Sequence, residues 1–199
     1  MLEKTLVILK PCTLQRGLVG EITHLFERKG LRLAGMKMMQ LTDELLSEHY
    51  AHLSGKPFFQ RVKDSMMTTP VIVCCFEGVD AIQTVRTLAG PTNGRLAAPG
   101  TIRGDYSMSF QENIVHTSDS PETAAIELTR FFKPEETNGR LAAPGTIRGD
   151  YSMSFQENIV HASDSPETAA VELTRFFKPE EIFDYKQATF DYLYANDEY

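Results

Sequence analysis

Two histidines, His116 and His161, occupy equivalent places in a repeated unit and are the strongest candidates for chemistry in this chain. Each closes the stretch Asn-Ile-Val-His and is followed, one residue later, by Ser-Asp-Ser-Pro. A serine N-cap with proline at the first helical position marks a helix start there. A neutral imidazole is a competent nucleophile near pH 7, because its unperturbed pKa of about 6.5 leaves much of it unprotonated. The same unit brings a threonine hydroxyl (Thr92), a guanidinium (Arg103) and an amide (Asn113) close in sequence. Arginine grips phosphate oxygens bidentately and hydroxyls donate to them, so this set of residue types points to phosphate chemistry.

The unit runs over residues 92–136 and returns at once over 137–181, differing only at Thr117 against Ala162 and Ile126 against Val171. Thr137, Arg148, Asn158 and His161 are therefore second-copy equivalents of Thr92, Arg103, Asn113 and His116. A period of this length suggests a solenoid, but two units are too few to bury a shared core and nothing before residue 92 matches them. Near-identity indicates instead a tandem duplication, recent or engineered, within an already complete domain.

The elements that must position these groups follow in order. Residues 5–10 (TLVILK) read as a short buried strand that leaves Lys10 at its exit, ended by Pro11. Leu18, Ile22, Leu25 and Phe26 share one helical face, and Gly30 sits where a helix C′ residue belongs. Residues 31–41 alternate as a second strand. Thr42 then caps a helix with Asp43 and Glu44 in its first turn, carrying His49, Tyr50 and Leu53. Phe58-Phe59 opens another segment after Gly55-Lys56-Pro57, and residues 70–76 (PVIVCCF) form a third strand. Val79, Ile82, Val85 and Leu88 recur at helical spacing. The repeat begins as irregular chain through GRLAAPGTIRGD, passes a fourth strand over 113–116, and ends in a helix from Ser120 whose apolar face is Ala124, Leu128, Phe131 and Phe132. Without the second copy, the order is that of an α/β (α+β) sandwich of near-typical single-domain length.

Composition limits the functions available. The chain has 199 residues, 42% hydrophobic and 24% charged, as expected of a soluble globular protein. A net charge of −7 argues against a general nucleic-acid binder, which needs a basic face. Cys12, Cys74 and Cys75 form no disulfide framework or C-x-x-C metal pattern, which favours a reducing, cytoplasmic setting. The apolar runs are far short of a membrane span, and the N-terminal one is too short for a signal peptide core.

Several short motifs now coincide. Lys10-Pro11 is followed by Gln15-Arg16-Gly17-Leu18, then His49-Tyr50, Lys56-Pro57-Phe58-Phe59, Arg86, Thr92-Asn93, the PGTIRGD run over 99–105, and NIVH leading into Ser118-Asp119-Ser120. In these the chain resembles the nucleoside diphosphate kinases over nearly its whole length, the extra copy aside. The resemblance implies a ferredoxin-like βαββαβ fold, a four-stranded antiparallel sheet covered by helices, in one domain spanning 1–199. It implies transfer of the γ-phosphate of a nucleoside triphosphate to a nucleoside diphosphate, through a phosphohistidine on His116 or its equivalent His161. Glu127 is implied as the group that orients the ring, with Tyr50 and Ser118 beside it. Lys10 and Asn113 would hold sugar hydroxyls and phosphate, Arg86, Thr92 and Arg103 the phosphates, and Phe58 the stacked base. Stacking is indifferent to base identity. Mg²⁺ would enter with the nucleotide rather than on protein ligands, and the family implies a homohexamer or tetramer.

The sequence departs from the family pattern at Cys12-Thr13 (usually Asp-Gly), at Gly94 (usually proline) and at Thr117 or Ala162 (usually glycine). If that last position needs a positive φ, a β-branched threonine is costly there and alanine fits better. Only one copy can join the sheet, since Lys10, Tyr50, Phe58 and Arg86 occur once. The first copy is favoured: the spare then interrupts the chain after a polar helix end, whereas the alternative breaks it beside the phosphate site. His24, His49 and His52 read as structural or surface residues. The competing function is an impaired duplicate acting as an interaction or regulatory protein, or phosphate transfer onto protein histidines.

Overall fold

The computed structural model describes residues 2–133, 163 and 165–185. It divides into a larger unit, Met1–Gly139 with Tyr185–Tyr199, and a second unit, Arg140–Asp184. In the larger unit the strands are β1 (Leu2–Leu9), β2 (Arg32–Met39), β3 (Val71–Val79) and β4 (Val115–Thr117). They form one sheet in the order β2-β3-β1-β4 with every neighbouring pair antiparallel. The helices are α1 (Pro11–Gln15), α2 (Val19–Arg28), α3 (Asp43–His49), α4 (Phe59–Met66), α5 (Ala81–Ala89), α6 (Ile102–Tyr106) and α7 (Pro121–Phe131). This is the ferredoxin-like arrangement, with β3 lying between β1 and β2.

Both faces of the central strands are buried, so β1 and β3 read as continuous apolar runs rather than as alternation. Val7 and Leu9 of β1 and Cys74 and Phe76 of β3 face a core shared with Ile22 and Phe26 of α2 and Val85 of α5. Leu6, Ile8, Val73 and Cys75 face the opposite core, with Leu46 of α3, Met66 of α4 and Phe131 of α7. Each such buried side chain contributes about 1.5–3 kcal/mol. The adjacent thiols Cys74 and Cys75 thus go to different layers, and all three cysteines are free.

Local signals set the helix ends. Thr42 Oγ1 accepts from Leu45 N at 3.3 Å, and Ser120 Oγ accepts from Thr123 N at 3.1 Å. Gly30 takes φ 98°, as its place after α2 requires. Three details differ from the sequence reading. Pro11 not only ends β1 but starts α1 as its first residue. The helix from Thr42 stops at His49, and residues 51–53 are a separate 3₁₀ turn. The stretch expected to be irregular holds α6, capped by Thr101 Oγ1 on Gly104 N at 3.1 Å.

β4 comes from the first copy of the repeat and pairs Val7 with Thr117, Ile8 with His116 and Leu9 with Val115. In the second unit the described structure is a helix, α8 (Pro166–Phe176), followed by a 3₁₀ turn at Pro179–Glu181. Thr137, Arg148, Asn158 and His161 lie outside the described residues. No described helix is long and apolar enough to cross a membrane.

Candidate active site

His116 is held by the middle of β4, with its side chain 19% exposed towards a cleft of about 900 Å³. Its Nε2 lies 2.8 Å from Glu127 Oε1, and the other carboxylate oxygen of Glu127 accepts from Ser118 Oγ at 2.6 Å. Ser118 Oγ in turn accepts from Leu6 N at 3.3 Å, which ties the chain to β1. Burial opposes the charge on Glu127, but the hydrogen bonds from His116 and Ser118 and the imidazole charge hold its carboxyl below the usual range. An ionised carboxylate only accepts, so Nε2 carries the proton and the lone pair of Nδ1 is left free.

Why His116 sits where it does is partly a matter of strain. Ile114, two residues before it, has φ 71°, a conformation that β-branched residues avoid. Its carbonyl accepts from both Lys10 N at 2.9 Å and Thr13 Oγ1 at 2.6 Å, which over-determines the backbone there. Thr13 thus performs a structural task that the departure at Cys12-Thr13 did not suggest. Thr117 is not among the described residues with positive φ, so the cost considered for a threonine after the histidine does not arise.

Phosphate-binding types line the same cleft. Lys10, Arg61, Arg86, Arg103 and Arg130 face it, against two carboxylates, Asp119 and Glu127. A protein of net charge −7 thus concentrates positive charge in one cavity. Lys10 Nζ donates to Gln111 O at 3.0 Å, and desolvation, with Arg103 nearby, pushes its ammonium down to about 8. Arg86 projects from the last turn of α5 and is exposed. Thr92 is exposed, and its carbonyl accepts from Asn113 Nδ2 at 3.0 Å. Asn113 Oδ1 is buried with no hydrogen-bond partner, an acceptor free for a ligand hydroxyl. Phe58, the residue before α4, lines the cleft, as do Tyr50 and Thr92.

The PGTIRGD run holds Arg103 in place. Gly104 packs so closely on the Ala98 carbonyl that a Cβ would collide with it, and Gly100 N donates to Asp105 Oδ1 at 2.8 Å. Arg103 itself is mostly committed to backbone carbonyls: Nε to Asn113 at 3.2 Å, Nη1 to Gly90 at 2.6 Å and Nη2 to Val115 at 2.7 Å. Of its five N–H groups, one on each terminal nitrogen is left over from these three bonds. Burial, with Arg86 adding to it, lowers its pKa to about 10.

The sequence reading left His49 as a structural or surface residue, and the structure buries it directly against His116. His49 ends α3 with its side chain 1% exposed and its ring centroid 4.5 Å from that of His116. Its Nδ1 is 3.6 Å from Glu127 Oε1. Burial, then the charge of His116, pushes it down to about 3. The spacing of Leu46 and His49 on one helical face was visible; that this face meets β4 was not. Tyr50 is buried beside it, its ring 6.1 Å from His116, and burial and then Glu127 push its phenol up.

The family model described as nucleoside diphosphate kinase matches residues 3–137 and, again, 136–182. A nucleoside diphosphate kinase of Parabacteroides distasonis is 79% identical over 135 residues, which cover 68% of this chain and 88% of that protein. One from Staphylothermus marinus is 51% identical over 134 residues, covering 67% and 95%. Among solved structures, a halophilic nucleoside diphosphate kinase from Halobacterium salinarum in complex with CDP aligns with TM-score 0.67 at 41% identity, covering 69% of this chain and 91% of that one. The Aquifex aeolicus enzyme aligns with TM-score 0.66 at 36% identity, covering 69% and 99%. With a half-buried histidine–carboxylate pair in a basic cleft and this degree of likeness, the chain belongs to the nucleoside diphosphate kinase family and is a phosphotransferase acting on nucleotides.

Proposed function

We propose that His116 Nδ1 is the nucleophile of a two-step exchange and that the first copy of the repeat builds the working site. The observation that carries this reading is the Ser118–Glu127–His116 chain, which leaves Nδ1 as the lone pair facing the cleft. The Nδ1 lone pair attacks the γ-phosphorus, the bond from that phosphorus to the β–γ bridging oxygen breaks, and the nucleoside diphosphate leaves. The phosphorylated ring keeps its Nε2 proton, and Glu127 offsets the positive charge that forms. An acceptor diphosphate then attacks the phosphorus along the reverse path and the P–N bond breaks.

Lys10, Arg86 and the two free N–H groups of Arg103 stabilise charge on the transferring phosphoryl group, with Thr92 donating from its hydroxyl. Asn113 Oδ1 takes a sugar hydroxyl, Phe58 stacks the base and Tyr50 packs beside the imidazole. Mg²⁺ arrives as part of the substrate. Glu127 is committed to His116, which leaves Asp119 as the cleft's other carboxylate, so the ion's ligands are the phosphate oxygens it travels with. Residues 137–181 are the spare copy of a tandem duplication. Exposed Leu96 and Met108 on the loops around α6 support a homo-oligomer, hexamer or tetramer, and the free cysteines support a cytoplasmic setting.

Single variants test the proposal. His116→Ala abolishes exchange and His161→Ala leaves it near the parent rate. Activity that survives the first substitution and vanishes with the second overturns the assignment of the site to the first copy.

A further inference from the structure

His49 is a buried side chain with nothing to bond to. Both of its ring nitrogens are shielded from solvent, and neither has a hydrogen-bond partner. A buried polar group in that condition calls for an explanation. It is wedged against Tyr50, His116 and Phe131, with ring centroids 4.6, 4.5 and 5.1 Å away, so it is not free to turn outward. One ligand atom each from His49, His116 and Glu127 fall within 4.8 Å of one another, and all three residues line the cleft.

We infer that His49, His116 and Glu127 form a binding site for a borderline-soft divalent cation of the zinc class, and that its occupation switches the enzyme off. Two imidazoles and one carboxylate, with a fourth position left for water, are a characteristic zinc ligand set. A tetrahedral ion with bonds of about 2.0–2.1 Å places its ligand atoms roughly 3.3 Å apart. Glu127 Oε1 stands 2.8 Å from His116 Nε2 and 3.6 Å from His49 Nδ1, so these two separations bracket that value, and the two imidazoles, within 4.8 Å of each other, close around the ion on binding. Ser118 Oγ donates to the carboxylate oxygen that would not bind the metal and so fixes the orientation of Glu127. Nitrogen ligands favour zinc, copper or nickel over magnesium, so the ion that accompanies the nucleotide does not compete.

The consequence for turnover rests on the proposed role of His116. A metal on Nε2 displaces the proton that Nε2 shares with Glu127, and a neutral ring metallated there carries its proton on Nδ1. The lone pair that would attack phosphorus is then absent. Zinc therefore acts at the nucleophile itself.

The test titrates the full chain, freed of metal by chelator, with Co²⁺ and then Zn²⁺ in the presence of excess Mg²⁺. Expected are tetrahedral Co²⁺ absorption bands without a thiolate charge-transfer band, displaced by Zn²⁺ at one equivalent. Zn²⁺ inhibits exchange over the same concentration range. His49→Gln weakens Co²⁺ binding at least about tenfold, and Ser118→Ala weakens it about 10–100-fold. Occupancy is read by absorbance whatever the turnover, so bands that appear while exchange continues would refute the inhibitory role and leave the binding site standing. Absence of Co²⁺ bands in the parent protein at about millimolar metal, a thiolate band, or unchanged binding in folded His49→Gln would overturn the site.

Discussion

Helices α7 and α8 have the same sequence but for Ile126 against Val171, and they live in different surroundings. Their local structure is the same. Ser120 and Ser165 each accept from the amide three residues on at 3.1 Å, and both helices end at a phenylalanine with φ and ψ within a few degrees of each other. Burial differs completely: Phe131 and Phe132 are 2% and 6% exposed, Phe176 and Phe177 67% and 49%. Capping and proline placement fix where a helix begins; what its apolar face is worth is set by what it packs on. The chemistry follows the packing. Glu127 is buried between His116 and Ser118, whereas Glu172 accepts from Ser163 at an exposed position.

Matched substitutions break this comparison, beginning with the largest effect. Phe131→Ala removes a core side chain and lowers the unfolding free energy by about 3–5 kcal/mol, while Phe176→Ala stays within about 0.5 kcal/mol, both read from denaturant midpoints. Equal losses would mean that both helices are packed in solution. Glu127→Ala frees the imidazole tautomer and lowers kcat by about 10²-fold or more, about 2.7 kcal/mol of transition-state stabilisation. Glu172→Ala leaves kcat unchanged, and a comparable loss there would show the second copy at work.

A third prediction concerns the part of the site encoded once. Burial pushes the Lys10 ammonium down to about 8, below the ordinary lysine range, so its positive charge is present below that pH and lost above it. As pH rises through 8, KM for nucleotide climbs, by up to about tenfold per unit once deprotonation dominates. In Lys10→Gln, KM is higher at neutral pH and that climb is gone. If the climb persists in the variant, another group is responsible. The smallest difference is at the caps. Ser120→Ala costs about 1 kcal/mol of global stability, and Ser165→Ala leaves the main unfolding transition where it was.

Much of the fold was legible because local signals agreed with it. β1 and β3 are short β-branched runs, Thr42 and Ser120 announce their helices, and Gly30 ends one. The short helices were not legible: a five-residue segment such as α1 or α6 carries no period, and Pro11 signals a strand end as readily as a helix start. Within the site, His116, Glu127, Arg86 and Arg103 were singled out by the joint pattern of motifs, whereas Arg61 and Arg130, which line the same cleft, were not. The positive φ of Ile114, the commitment of Arg103 to three carbonyls and the pressing of His49 onto His116 were not legible either. Each depends on where a distant element lands, which residue type alone does not encode.

The most direct test of the account is to find which histidine takes the phosphate. Brief exposure to radiolabelled nucleoside triphosphate, followed by digestion at alkaline pH and peptide mass analysis, distinguishes the copies because Thr117 and Ala162 give the two histidine peptides different masses. The account predicts acid-labile, base-stable label on the peptide of His116 and none on that of His161. Label confined to the His161 peptide, or none on either, would contradict it.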